Sequence, residues 1–243
     1  MMDKLPIRIN PCPIVEAVVE IRFSSLLPGE AIYGILYSKI GGMFKSSSNL
    51  PILQLPEALR TADPNLMYQP HHLFANGDLS LRVGPRTLLF ANNGAYKGWD
   101  NFSKFVISVL EDIRDTKIVH LPERIGIRYF NFFSHPILDK INFAVNHLGK
   151  TIADENTVVR IEFKRGAFVE ILNVANKSGL TINNSPVVGS LIDIDCIYNY
   201  ESGSTPFYDS YGGILEQGHL LEKTSFFDLL LPEFLKTLNP VYG

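Results

Sequence analysis

Residues 13–23 read Pro-Ile-Val-Glu-Ala-Val-Val-Glu-Ile-Arg-Phe. In an extended segment successive side chains point to opposite faces. Val15, Ala17, Val19, Ile21 and Phe23 therefore share one face, and Glu16, Glu20 and Arg22 share the other with Val18. β-branched and aromatic residues suit a pleated, half-buried surface. A slip of one residue would bury the charges and expose the apolar row, so the pattern fixes its own register. Pro11 and Pro13 keep structure from running in from the N-terminal side. A chain that opens this way has to lay a sheet over an apolar core and turn an ionic face elsewhere.

The later segments repeat that division. Pro28-Gly29-Glu30 opens a helical stripe of Ala31, Ile32, Ile35, Leu36, Ile40 and Met43. The prolines at 51, 56, 64 and 70 predict irregular backbone over 50–70 with room for one short turn of helix. Residues 79–83 and 86–90 alternate about Gly84-Pro85 as a hairpin. Asp100 reads as the N-cap of a helix carrying Phe102, Val106, Val109 and Leu110, with Trp99 as a staple before it. A strand follows over 124–133. The first half thus reads β-α-β-β-α-β, the order of a ferredoxin-like unit.

The second half reads α-β-β-β-α. It has a helix over 136–148 and strands over 157–164, 167–175 and 187–200. Then come an exposed loop over 199–213 and a helix from about Glu216, broken by Pro232. The expected fold class is α+β, one domain over 1–243 with sub-units 1–135 and 136–243, antiparallel or mixed sheets, and helices on one face.

Composition narrows the function classes. Apolar residues at 46% and charged residues at 19% are globular proportions and argue against disorder. A net charge of −3 gives no global pull toward nucleic acid or an anionic membrane. There is no apolar run of ~18 residues for a membrane span, and residues 1–10 lack the apolar core of a secretory signal. Two cysteines, Cys12 and Cys196, make neither a disulfide framework nor a zinc site alone. The expectation is a cytoplasmic protein with reduced thiols.

The PIVEAVVEIRF opening, the strand Arg124-Ile-Gly-Ile-Arg128-Tyr129-Phe130-Asn131, Leu191-Ile-Asp193-Ile-Asp195 and the Phe-rich C-terminal helix are the basis of a resemblance. Together they resemble a sporadically distributed prokaryotic family of no established activity. Residues 46–72 match nothing in that pattern, and Cys12 stands where a second proline is expected. The resemblance implies a bacterial or archaeal cytoplasmic protein; it implies no substrate and carries over no functional residue.

The familiar catalytic signatures are absent: no phosphate-binding Gly-rich loop ending in Lys-Ser or Lys-Thr, no His-Glu-x-x-His, no Cys-x-x-Cys and no Gly-x-Ser-x-Gly. His71 and His72 are adjacent, so on a strand they face opposite ways and cannot chelate one ion together. Asp193 and Asp195 share a strand face roughly 6–7 Å apart, a spacing suited to a divalent cation or to ion pairs with neighbouring arginines. With Glu20, Arg22, Arg82 and Arg128 they form a candidate charged sheet face, joined by Glu16, Arg160, Glu162 and Lys164. Glu20-x-Arg22 resembles the Glu-x-Glu-x-Lys strand of triphosphate-tunnel enzymes, with Val18 in place of the first Glu.

Tyr200, Tyr208 and Tyr211, set among Gly and Ser, form a second candidate, a protein-binding loop. No basic residues interleave with them, which disfavours single-stranded nucleic acid. The leading expectation is a non-enzymatic binding or assembly protein without a cofactor, meeting a protein partner or another copy through that loop or a sheet edge, and no membrane. The alternative is a Mg- or Mn-dependent enzyme acting on a phosphorylated compound at the charged face.

Overall fold

The computed structural model describes residues 4–152, 156–182, 185–201 and 203–243. The first half runs β1 (Ile14–Ser24), α1 (Gly29–Ile40), β2 (Ser46–Asn49), α2 (Glu57–Ala62), β3 (His72–Asn76), β4 (Leu79–Gly84), β5 (Thr87–Asn92), α3 (Trp99–Asp112) and β6 (Leu121–Phe133). The second half runs β7 (Val145–His147), β8 (Lys150–Ile152), β9 (Thr157–Arg165), β10 (Phe168–Ile182), β11 (Ser185–Asn199), α4 (Phe207–Leu229) and α5 (Pro232–Thr237). Among the described residues no helix is long and apolar enough to cross a membrane.

β1 takes the register its pattern dictates. Val19 pairs with Phe90 of β5 on one side and Ile127 of β6 on the other. Ala17, Val19, Ile21 and Phe23 are wholly buried, while Glu16, Glu20 and Arg22 stay half-buried on the opposite face. Burying a large apolar side chain of this kind contributes about 1.5–3 kcal/mol, so the row holds the strand at the centre of the sheet. α4 packs on β6 and β11, α1 packs on β4, and α3 bridges the two helices.

The ferredoxin-like reading of the first half is corrected here. Nine strands from both halves form one antiparallel sheet in the order β2-β3-β4-β5-β1-β6-β11-β10-β9, with β7-β8 a separate hairpin. The reason lies in β6. It bonds β1 along one edge and β11 along the other, Ile127 facing both Val19 and Cys196. The main sheet thus takes strands from both halves, and the helix-on-one-face unit of four strands does not form.

Two local readings also change. Residues 136–148 hold a single 3-10 turn at Leu138–Lys140 and the start of the β7-β8 hairpin rather than a helix. Their apolar residues Ile137, Leu138 and Ile141 are buried all the same, and Ile137 N–H donates to the side chain of Asn176 at 2.8 Å. The segment read as loop over 199–213 turns helical at Phe207. Phe207, Tyr211, Ile214, Leu215 and Gly218 form a buried stripe that runs through Gly212-Gly213.

Gly218 sets the height of α4 above the sheet. A Cβ there would lie 2.5 Å from Ile127 Cδ1 and 3.1 Å from Phe168 Cε1. Alanine improves helix propensity by about 1 kcal/mol, and overpacking at a contact this close outweighs that gain. Gly218→Ala is expected to destabilise the protein by about 1–2 kcal/mol in urea titrations. An unchanged midpoint would mean that the helix shifts freely on the sheet.

Candidate functional site

The ionic face predicted from sequence is assembled from β1, β6 and β11. Glu20 accepts from Arg22 Nε at 2.9 Å and from Arg124 at 2.6 Å. Arg128 grips both oxygens of Asp193 at 2.7 Å each, and Asn173 donates to the same carboxylate at 2.9 Å. Arg82 reaches Glu16 at 3.4 Å across the intervening β5, and Arg86 pairs with Glu123, which also accepts from the Tyr68 hydroxyl. Arg160 and Glu162 pair on the exposed β9.

Asp195 sits beside Gly126, where the missing side chain leaves it room. Burial pushes its carboxyl up to about 6, against the pull of Arg124 and Arg128. The two aspartates do share a face, but both oxygens of Asp193 are engaged by protein donors. Among the described residues no group of three or more His, Cys, Asp or Glu is placed to hold a metal ion.

The tyrosine candidates lie at the start of α4 and just before it. Tyr211 is buried, stacked on Phe207 with 5.2 Å between centroids, and donates to Glu111 at 2.5 Å. Tyr208 packs edge-on to Phe207 under the Arg114 guanidinium, and burial pushes its phenol up to about 12. Tyr200 hydrogen-bonds Ser210 at 3.2 Å. They fasten α4 to the body of the protein rather than standing clear of it on a loop.

A different site lies behind these elements. A cavity of about 570 Å³ opens between the N-terminal segment before β1, the start of α3, β6 and the middle of α4. The N-terminal wall is clasped by the C-terminal tail: Ile7 N–H donates to Val241 O at 2.8 Å, Val241 N–H to Arg8 O at 2.9 Å, and Asn10 N–H to Leu238 O at 2.7 Å. Gly98 caps α3 with φ 95°, so Asp100 lies inside the first turn rather than at the cap, and Trp99 turns toward α4.

Trp99 stacks on His219 with 4.4 Å between centroids and donates from Nε1 to Glu216 at 2.8 Å. His219 Nδ1 lies 3.2 Å from the Tyr129 hydroxyl, which lies 2.8 Å from the Tyr96 hydroxyl. Burial, helped by Lys223, holds His219 down to about 4, so its ring is neutral near pH 7. The chain of donors runs Tyr96 to Tyr129 to His219 when Nδ1 is bare, and reverses when Nδ1 carries the proton.

Glu222 completes this wall. It is 5% exposed, lines the cavity one helical turn beyond His219, and makes no hydrogen bond or ion pair with a described residue. Burial, reinforced by the nearby charge of Glu170, pushes its carboxyl up to about 8. Glu170 is itself held by the Ser225 hydroxyl at 2.6 Å and by Arg165 at 3.6 Å. Near pH 7 Glu222 therefore carries a proton and presents an O–H donor at the cavity wall.

None of the cavity's polar groups was read from sequence as a functional residue, because they converge from four separated segments. A local signal did exist. Glu222 interrupts the buried stripe of α4 between Gly218 and Phe226, where an apolar residue belongs.

Fold and cavity together define a protein built on one long nine-stranded antiparallel sheet with helices packed against it and an aromatic-walled pocket beside α4. No known family model matches the chain, and no curated protein matches it.

Proposed function

We propose that this protein binds a small organic molecule in the cavity between its N-terminal segment and α4. The observation that carries the reading is Glu222. Its carboxyl has no hydrogen-bond partner among the described residues, and its oxygens are not sealed from solvent, so they open on the cavity. Here the group borders a cavity with aromatic and aliphatic walls and a few convergent polar atoms, the common make-up of a ligand site. The bound molecule accepts the Glu222 hydrogen bond and packs against Trp99, Phe226 and Phe227.

The opposed pKa shifts of His219 and Glu222 favour a second reading, proton transfer on that molecule, since acid–base pairs are built by environments that push two groups apart. Self-association and metal-assisted chemistry on the ionic face draw less support, because the tyrosines pack inward and Asp193 is fully engaged.

Trp99 is the sole tryptophan, which makes it a reporter for this cavity. Fragments found by ligand-observed NMR are expected to alter its emission. They are also expected to lose at least about tenfold in affinity in Cys12→Phe, which fills the cavity wall. Binding that leaves Trp99 unperturbed and Cys12→Phe unaffected would place the ligand elsewhere.

A further inference from the structure

Resting on that reading, we infer that the ligand is an organic anion, an apolar or aromatic body bearing a carboxylate, sulfonate or phosphate group. Three cations, Arg8, Lys97 and Lys223, line the cavity, and none makes an ion pair or hydrogen bond with a described residue. The ionic sheet face has the opposite pattern. Arg22, Arg82, Arg86, Arg124 and Arg128 on the sheet face each have a carboxylate. The whole chain carries −3, so unpaired positive charge at one cavity runs against the global balance.

The acidic groups on the cavity wall are Asp100 and Glu222. Glu216 is engaged with Trp99, and Glu170 lies beyond Glu222 with its own partners, Ser225 and Arg165. With Glu222 protonated, the cavity lining holds three cations and one carboxylate, that of Asp100.

Two further features point the same way. α3 begins at the wall with Gly98 as N-cap and no side-chain cap, so its first-turn N–H groups and the positive end of a 14-residue helix lie beside Lys97. The Glu222 carboxyl, without a hydrogen-bond partner among the described residues, supplies a further donor from α4 when it holds its proton, and an anion is a strong acceptor for it. Ile9, Ile14, Trp99, Phe226 and Phe227 supply the apolar lining, which calls for an organic body rather than a bare inorganic ion.

The test compares two probes of one aromatic skeleton: anilinonaphthalene sulfonate and its uncharged counterpart phenylnaphthylamine. Each is titrated into the whole protein and read by energy transfer from Trp99. The sulfonate is expected to bind at least about tenfold tighter at low ionic strength, and about 0.5 M NaCl to remove most of that advantage. Arg8→Gln, Lys97→Gln and Lys223→Gln together are expected to bring the sulfonate to the level of the neutral probe without weakening the latter.

Equal affinity of the two probes for wild type would overturn the anion inference and leave the cavity reading standing. A preference for the sulfonate that survives the triple substitution would likewise overturn the assignment to these cations. Absence of energy transfer with either probe would sink both readings.

Discussion

Glu222→Gln is expected to raise the melting temperature slightly near pH 5 and by about 10 °C near pH 9. Glu222 is raised from 4.5 in an ordinary environment to about 8 in the folded protein. A group whose folded pKa is raised contributes stability that is fully present below the unfolded value and is lost as pH rises through the folded one. The native state keeps this proton between about 4.5 and 8 while the unfolded chain releases it, so the wild type weakens across that window. The full difference corresponds to roughly 3–5 kcal/mol, or about 6–20 °C for a chain of this size.

Glutamine keeps the shape and cannot ionise, so the substitution removes that slope and little else. His219 works in the opposite sense. Lowered from 6.5 to about 4, it contributes stability present above 6.5 and lost as pH falls through 4. Comparing variant with wild type at each pH cancels His219 and the other groups that do not sense the Glu222 charge. A gain of the same size at both pH values would mean that Glu222 is already ionised in the fold.

The second large effect lies on the ionic face. The Asp193 side chain is 4% exposed and both its oxygens bond the Arg128 fork. Removing the arginine leaves a buried carboxylate with Asn173 as its remaining donor. Truncating one partner of a buried pair commonly loses 3–5 kcal/mol, and Arg128 is 39% exposed, so solvent softens the figure. Arg128→Met is expected to lose about 2–3 kcal/mol, and Asp193→Leu about 1–2 kcal/mol, since the freed guanidinium still lies over the Phe130 ring at 4.4 Å. The double variant is expected to lose less than the sum by about 1–2 kcal/mol in urea unfolding. Strict additivity would show the two side chains to be independent despite their geometry.

The contrast between these sites marks what the amino-acid sequence discloses. Period-two alternation is local, so the faces of β1 and β6 and the shared face of Asp193 and Asp195 were legible. Strand order is a long-range matter, and nothing within residues 121–133 says that both edges of β6 are taken. The glycine pair at 212–213 masked the helical stripe from Phe207, because propensity is weak beside the packing of Phe207, Tyr211 and Ile214. The cavity was illegible for a similar reason: Arg8, Tyr96, Trp99, Tyr129 and Glu222 meet only once the sheet has brought their segments together.

The binding reading depends on a carboxyl that keeps its proton at the wall of an aromatic cavity. The direct measurement is a carbon-13 NMR titration of the glutamate side-chain carboxyls, with Glu222 assigned by its loss in Glu222→Gln. The expected result is a resonance that titrates near 8, well apart from the other glutamates. A Glu222 resonance that titrates near 4.5 would describe a solvated carboxylate and would contradict the account.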